Sequence, residues 1–141
     1  MRIVRVLVLA AILPCAVAAG AAAQNPAAAC HGTQQRRDVA ELLFGRDIAG
    51  ALGVSEQTWR RFVAREITPR FPDGLTVTDA RGQWRDPDSG RIVREPSKRV
   101  EIVLPGNADD AARLDAIVSA YKRHFRQRSV GLIVQSACVS F

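Results

Sequence analysis

The spacing of hydrophobic and polar residues changes several times after residue 38, and each change marks a predicted element. Period-two alternation and short apolar runs, which are typical of strands, occur at 39–44, 75–85, 92–104 and 130–134. Two segments repeat apolar residues every three to four positions, which predicts helices at about 55–68 and 108–125. The order β-α-β-β-α-β predicts a ferredoxin-like α+β domain, a four-stranded antiparallel sheet with two helices on one face.

Each predicted helix carries boundary signals of its own. Ser55 can cap the N-terminus of the first helix, because its hydroxyl can accept a backbone N–H of the first turn. Pro69 disfavours the helical conformation at Thr68, so this helix should end there. Asn107 is the candidate N-cap of the second helix, and residues 46–53 between the first strand and the first helix read as a loop.

The central hairpin contains two irregular positions. The alternation that begins at Leu75 changes phase near Gly82, which predicts a bulge there. Asp-Pro-Asp-Ser-Gly at 86–90 is a strong turn signal. Pro96 has no backbone N–H to donate to a neighbouring strand, so it predicts an edge position or a bulge.

The sheet face away from the helices is predicted to carry apolar residues as well. If Leu42 and Val100 point towards the helices, then Leu43, Val103 and Ile133 point away from them. Such residues suggest a second cover, and a homodimer with a closed or stacked sheet, in the manner of a dimeric α+β barrel, supplies it. The alternative is that they are scattered surface residues, which are common.

Composition changes this picture mainly at the N-terminus. The chain has 141 residues, and its first 23 contain 19 of the apolar side chains. Arg2 and Arg5, a short apolar run and Ala21-Ala22-Ala23 have the pattern of a signal peptide, so we predict a signal peptide at 1–23, a flexible N-terminal arm at 24–37 and one domain at 38–141. The predicted location is therefore periplasmic or extracellular.

Two alternatives to a cleaved signal peptide remain open. An uncleaved membrane anchor is disfavoured because the apolar run is short for a bilayer about 30 Å thick. Lipid attachment at Cys15 is disfavoured because Pro14 stands where a small residue is expected.

Cleavage would leave two cysteines, Cys30 and Cys138. An even pair in an exported chain predicts a disulfide, with two free thiols as the alternative. The predicted topology supports the bridge, because the first and last strands are neighbours and the cysteines lie at their adjoining ends. With these cysteines bridged, His31 and His124 do not make a zinc site, and no metal or cofactor is predicted.

The net charge argues less for nucleic acid than it first suggests. Without Arg2 and Arg5 the formal charge falls from +6 to +4, and the remaining arginines are spread along the chain. We therefore predict no nucleic-acid partner, and at most a weak, salt-sensitive association with anionic envelope surfaces.

Polar residues in or beside the central hairpin form a candidate ligand pocket. They are Arg70, Asp73, Trp84, Arg85, Glu95, Ser97 and Lys98. A carboxylate, an ammonium group and an indole that stacks on a planar ligand could make a small polar site. The structural alternative is a turn cap, a core or interface tryptophan and a solvated ion pair. No catalytic residue is predicted, because the sequence has no nucleophile elbow, P-loop or HExxH motif.

Four stretches resemble one exported bacterial family. They are 67–77 (ITPRFPDGLTV), 82–84 (GQW), 94–98 (REPSK) and 137–141 (ACVSF). From about residue 30 to residue 141 the chain is similar to the family known as domain of unknown function 3574. This resemblance implies one exported domain with a terminal cysteine. It implies no activity or ligand, so it assigns no catalytic residue.

Two hypotheses of function follow. The first is an exported, non-enzymatic binding or interaction module that forms a homodimer and has room for a small-molecule ligand. The second is a cofactor-independent enzyme that acts on a small hydrophobic or aromatic molecule in a sheet-lined cavity, an analogy that rests on fold alone. A closed cavity with Trp84, Glu95 or Lys98 pointing into it would favour the enzyme.

Overall fold

The structure is a computed structural model that describes residues 29–48 and 51–141. The predicted signal peptide, which includes Cys15, and residues 24–28 of the predicted arm lie outside these residues. The elements are β1 (Gln35–Gly45), β2 (Asp47–Ile48), β3 (Ala51–Leu52), α1 (Glu56–Phe62), a π-helical segment (Val63–Ile67), β4 (Thr76–Arg85), β5 (Ile92–Val103), α2 (Asp110–Phe125) and β6 (Gly131–Val139). In this part of the chain, no helix has the length and apolar character that crossing a membrane requires.

The four long strands form one antiparallel sheet in the order β4-β5-β1-β6. Both helices pack on the same face, which we call the helix face, and the opposite face is called the outer face. The chain therefore has the predicted ferredoxin-like α+β fold.

The core lies between the helix face and the two helices. Leu42, Phe44, Val100 and Ile102 have the same parity in their strands, and all four are buried. From the helices they meet a set of large side chains, namely Trp59, Phe62, Leu114, Ile117 and Tyr121. Phe44 lies at the centre, with ring centroids 5.1 Å from Trp59 and 4.7 Å from Tyr121. Burial of each large apolar side chain contributes about 1.5–3 kcal/mol, so this cluster is the main stabilising element.

The first helix begins and ends where its sequence signals predict. The Ser55 hydroxyl accepts the backbone N–H of Thr58 at 3.2 Å, which caps the helix. After Phe62 the backbone widens into the π-helical segment, and the N–H of Thr68 donates to the carbonyl of Val63 at 2.9 Å. Pro69 follows at once and stops the helix.

Two strands are longer than their hydrophobic patterns predict. β1 begins at Gln35 rather than at residue 39, and β6 continues to Val139 rather than ending at residue 134. Residues 35–37, which were predicted to belong to the arm, pair with 137–139. These polar residues join the strand because backbone pairing with β6 stabilises them, and an apolar pattern does not detect that contribution.

The predicted bulge at Gly82 is wrong. The register between β4 and β5 is continuous from Thr76 opposite Glu101 to Arg85 opposite Ile92. A Cβ at Gly82 would lie 2.8 Å from the Ser97 hydroxyl oxygen, so the glycine provides space for that side chain.

Pro96 lies in the inner strand β5 without a bulge, which corrects the prediction of an edge position. Arg46 N–H donates to the Pro96 carbonyl at 3.0 Å, and proline has no N–H to return the bond. The Arg46 carbonyl instead accepts the N–H groups of Gly53 and Val54, at 3.1 and 3.0 Å. Pro96 therefore lies where β1 leaves the sheet, and the segment predicted as a loop contains the paired strands β2 and β3.

The second helix starts later than Asn107 predicts, because Asp109 is its N-cap. The Asp110 carboxylate accepts the N–H groups of Gly106 and Asn107 at 2.8 and 2.9 Å. These bonds form a turn, and the helix begins two residues later than predicted.

Cys30 and Cys138 form a disulfide, as predicted, with their Cα atoms 5.4 Å apart. Cys138 is opposite Arg36 in the β1–β6 pair, so the bridge ties the segment before β1 to the end of β6.

Candidate functional site

The structure does not collect the seven predicted pocket residues in one place. Five lie on the two faces of the sheet, and two lie in the segment before β4. Trp84, Glu95 and Ser97 are on the outer face, whereas Arg85 and Lys98 are on the helix face. Arg70 and Asp73 belong to the segment between the π-helical turn and β4. The structure therefore brings together Glu95, Ser97 and Lys98, near the point where β1 ends, and separates the other four from them.

Lys98 is the most buried of the seven, with 4% of its side chain exposed. It has the same parity as Val100 and Ile102, so its stem lies among the core side chains. Its ammonium nitrogen lies 2.5 Å from Asp79 Oδ1 and 2.8 Å from Glu56 Oε2. A buried ammonium group is costly unless it is paired, and here it has two carboxylate partners.

Arg46 is a second buried cation at the same place, and the sequence patterns did not single it out. Its Nε donates to the Val54 carbonyl at 2.8 Å, which fixes the guanidinium plane. Its Nη1 lies 3.5 Å from Glu56 Oε2, the oxygen that also contacts Lys98. We call Arg46, Glu56, Asp79 and Lys98 the β1-exit cluster, in which two cations balance two carboxylates.

The cluster favours the charged forms of Asp79 and Lys98. The hydrogen bond and the charge of Lys98 lower the pKa of Asp79. Burial acts against the charge of Lys98, but the hydrogen bonds and charges of Asp79 and Glu56 outweigh it and raise the pKa of Lys98. The amine is therefore protonated across the physiological range. A protonated amine has no free electron pair, so it cannot act as a nucleophile or form a Schiff base.

Glu95 holds the end of β1 from the outer face. One of its carboxylate oxygens accepts the backbone N–H of Asp47 at 3.2 Å. A Cβ at Gly45 would lie 2.6 Å from the Glu95 carboxylate, so only glycine lets the carboxylate reach this position without a shift. On the other side the Tyr121 hydroxyl donates to the Gly45 carbonyl at 2.8 Å. Burial, helped by the charge of Glu95, raises the pKa of Tyr121.

The remaining candidates make local contacts. The Ser97 hydroxyl donates to the Glu95 carbonyl at 3.4 Å, and Arg85 donates to the Gly90 carbonyl in the hairpin turn at 3.1 Å. Arg70 donates to the carbonyl and to the carboxylate of Glu66, at 2.6 and 3.0 Å. The Arg85 and Arg70 contacts stabilise the hairpin turn and a helix end, and the Ser97 contact lies within β5.

Two surface grooves lie away from the β1-exit cluster. One, of about 500 Å³, lies between α2 and β6 beside Leu114 and Val134. The other, of about 720 Å³, lies near the C-terminus and includes Asp73 and Phe141. Trp84, Glu95 and Lys98 line neither groove. Across residues 29–48 and 51–141, no group of three or more His, Cys, Asp or Glu side chains is placed to hold a metal ion.

The outer face is mixed in character rather than uniformly apolar. Leu43 and Ile133 are exposed on it, as the parity argument predicts, and Val103 is half-buried. The same face carries a triad of ion-paired residues, Glu41, Arg99 and Glu101. Arg99 lies 2.7 Å from Glu41 in β1 and 3.2 Å from Glu101 in β5. Any partner that covers this face must leave the triad hydrated or provide it with partners.

This geometry defines a small ferredoxin-like α+β domain that is closed at one end by a disulfide and at the other by a charged cluster. The model of the family described as "Protein of unknown function (DUF3574)" matches residues 39–141, and the chain belongs to that family. No curated protein matches the sequence.

Solved structures with this fold share little sequence with the chain. A phage SAM lyase in complex with S-methyl-5'-thioadenosine has 17% identity and a TM-score of 0.59, over 82% of this chain and 95% of that one. A phage SAM lyase in the apo state has 19% identity and a TM-score of 0.57, over 77% and 87%. CutA from Synechococcus elongatus has 14% identity and a TM-score of 0.47, over 72% and 79%. At these identities the similarity shows a common fold alone.

Proposed function

We propose that the protein is an exported, non-enzymatic interaction module that acts as a homodimer. The observation that carries the proposal is a group of exposed large apolar side chains on and beside β6, which lie on both faces of the sheet. We call it the β6 patch, and it consists of Leu43, Leu132, Ile133 and Val134, each between 38% and 49% exposed. Apolar side chains grouped in this way mark interaction sites in soluble proteins.

The polar candidates support a non-enzymatic role. Covalent catalysis needs a nucleophile within hydrogen-bond reach of a base, and general acid–base catalysis needs a group that titrates near the working pH. Lys98 is held protonated by Asp79 and Glu56. Glu95 accepts a backbone N–H, and Ser97 donates to a backbone carbonyl. Each contact has a structural purpose at the end of β1.

The disulfide supports export. Bridges of this kind persist in oxidising compartments and are rare in the cytosol. Cys30 and Cys138 are paired, and their bridge joins two segments that are adjacent in the sheet.

The experiment is native mass spectrometry and light scattering of the oxidised protein, purified from the envelope of the cells that produce it. We expect a two-chain mass at micromolar concentration and intact Cys30–Cys138. A single-chain mass at that concentration would contradict the homodimer. A bound small aromatic or hydrophobic molecule that the purified protein converts to a product would favour the enzyme instead.

A further inference from the structure

We infer that the second copy docks on the free edge of β6 by antiparallel strand pairing, so that the sheet continues from one chain into the other. This inference rests on the proposed homodimer and specifies its interface. It is carried by the position, the sequence and the side-chain exposure of β6.

β6 is the outermost strand of the sheet. It pairs with β1 on one side, and in the part of the chain that the structure describes no other strand pairs with its second side. The strand has nine residues, which is a length of about 30 Å. Its outward backbone N–H and C=O groups form a ready template for another strand.

The two edges of the sheet differ in their protection. Proteins usually shield an edge strand with charged side chains, proline or a bulge. The β4 edge carries Asp79, Arg81 and Arg85. β6, with the sequence GLIVQSACV, has no charged residue and no proline, and its register with β1 is regular.

The exposed side chains of β6 point to both faces of the sheet. Leu132 and Val134 lie on the helix face, 38% and 49% exposed, and Ile133 lies on the outer face, 48% exposed. A partner stacked on the outer face would leave Leu132 and Val134 in water. Only an occupant that runs along the edge contacts all three residues at once.

A second copy is the occupant that matches this edge. Antiparallel pairing about a two-fold axis at Ile133 places that residue opposite its own copy and places Leu132 opposite Val134 of the second copy. Such an interface is self-complementary and closes as a dimer. Because β6 is uncharged, no like charges meet along it, and a charged peptide would find no opposite charge there. The nearby Arg128 is already paired with Asp88 at 2.7 Å.

The test compares three lysine substitutions by sedimentation equilibrium of the oxidised protein. Val134→Lys places a charge on the β6 edge. Val77→Lys is the matched control, because Val77 has 38% exposure and lies on the same face of the opposite edge strand. Leu43→Lys changes the outer face at an inner strand. We expect Val134→Lys to weaken dimerisation by about a hundredfold, since each dimer receives two lysines in the paired strands in place of an apolar contact with Leu132, and the other two to change it by less than about threefold.

The outcomes separate the inference from the proposed function. Edge pairing is overturned if the Val134→Lys protein folds and dimerises like the wild type. It is also overturned if Val77→Lys weakens dimerisation as much as Val134→Lys does. Loss with Leu43→Lys alone assigns the interface to the outer face, which retains the homodimer and removes this inference. A monomeric wild type contradicts both.

A second measurement needs no substitution and applies even if Val134→Lys does not fold. Amide hydrogen exchange of the wild type is compared above and below its dissociation constant. Edge pairing about Ile133 predicts that alternate amides between Gly131 and Gln135 become protected on dimerisation, while amides of β4 do not change. Equal exchange of β6 in monomer and dimer overturns the inference.

Discussion

The two ends of β1 are held by different chemistry. Near its first residues, the Cys30–Cys138 disulfide ties the preceding segment to β6. At its last residue, Gly45, the chain is held by the β1-exit cluster on one face, by Glu95 on the other and by the Tyr121 hydroxyl. One end is therefore covalent, and the other depends on hydrogen bonds and on charge.

This difference separates the conditions under which each end fails. In the chain-entropy account a disulfide stabilises chiefly by restricting the unfolded chain, an effect that does not depend on pH but is lost on reduction. An ion-paired cluster stabilises only while its groups keep the correct protonation state. Reductant and pH should thus loosen opposite ends of the same strand, independently of each other.

The largest effect is expected from the disulfide. Its cysteines are 108 residues apart, and closing a loop of that size is worth about 5 kcal/mol in the chain-entropy model. Replacing both cysteines, Cys30→Ala with Cys138→Ala, should lower the free energy of unfolding by this amount in urea denaturation. The control is reductant, which should destabilise the wild type by a similar amount and leave the double variant unchanged. A loss below about 1 kcal/mol would contradict this account.

Lys98→Met tests the β1-exit cluster, which holds the end of β1 opposite the disulfide. It removes the ammonium group that binds Asp79 and Glu56 but keeps an apolar stem of similar length, so we expect a loss of about 2 kcal/mol at neutral pH. The chain's second lysine, Lys122, is exposed on α2, and Lys122→Met provides the control with an effect within about 0.5 kcal/mol.

The pH dependence of Lys98→Met tests the electrostatic origin of that loss. The pKa of Asp79 is lowered from its ordinary 3.8, so its contribution is present above pH 3.8 and is lost as the pH falls through the lower folded value. The pKa of Lys98 is raised from 10.5, so its contribution is present below pH 10.5 and is lost as the pH rises through the higher folded value. The difference in free energy of unfolding between wild type and variant should not change with pH between these limits. Below the lower limit and above the upper one, the difference should become smaller. A difference that is independent of pH down to strong acid would assign the loss to packing.

Much of the fold could be predicted from local pattern, because apolar parity and helix caps are local properties. The burial of Lys98 had a signal of the same kind, since it shares parity with Val100 and Ile102. Arg46 carries no periodic signal, because it lies just beyond the strand. Its partner Glu56, and the approach of Asp79 to Lys98, depend on where α1 packs and on the register of β4 with β5.

The wrong predictions have a related cause. The phase change at Gly82 predicts a bulge, whereas the glycine makes room for Ser97 in the neighbouring strand. Pro96 predicts an edge position or a bulge because the local sequence does not contain its strand neighbours, and it lies where β1 has just ended. In both cases the deciding contact comes from a residue that is distant in sequence. The sequence groups residues 70, 73, 84 and 85 with 95, 97 and 98 because all lie in or beside the central hairpin, but the folded sheet separates the first four from the other three.

The smallest effect is expected from Tyr121, the single tyrosine of the chain. Tyr121→Phe removes the hydrogen bond to the Gly45 carbonyl and should lower the free energy of unfolding by about 1 kcal/mol at neutral pH. Burial raises the pKa of Tyr121 from 10.0, so above pH 10 the unfolded chain releases a proton that the folded chain retains, and stability falls as the pH rises. Phenylalanine cannot ionise, so the gap between wild type and variant should close with increasing pH. Ultraviolet titration of the wild type should show phenolate only as the protein unfolds. A reversible ionisation near pH 10 in the folded protein would mean that the hydroxyl is hydrated and that the Gly45 end of β1 is open to water.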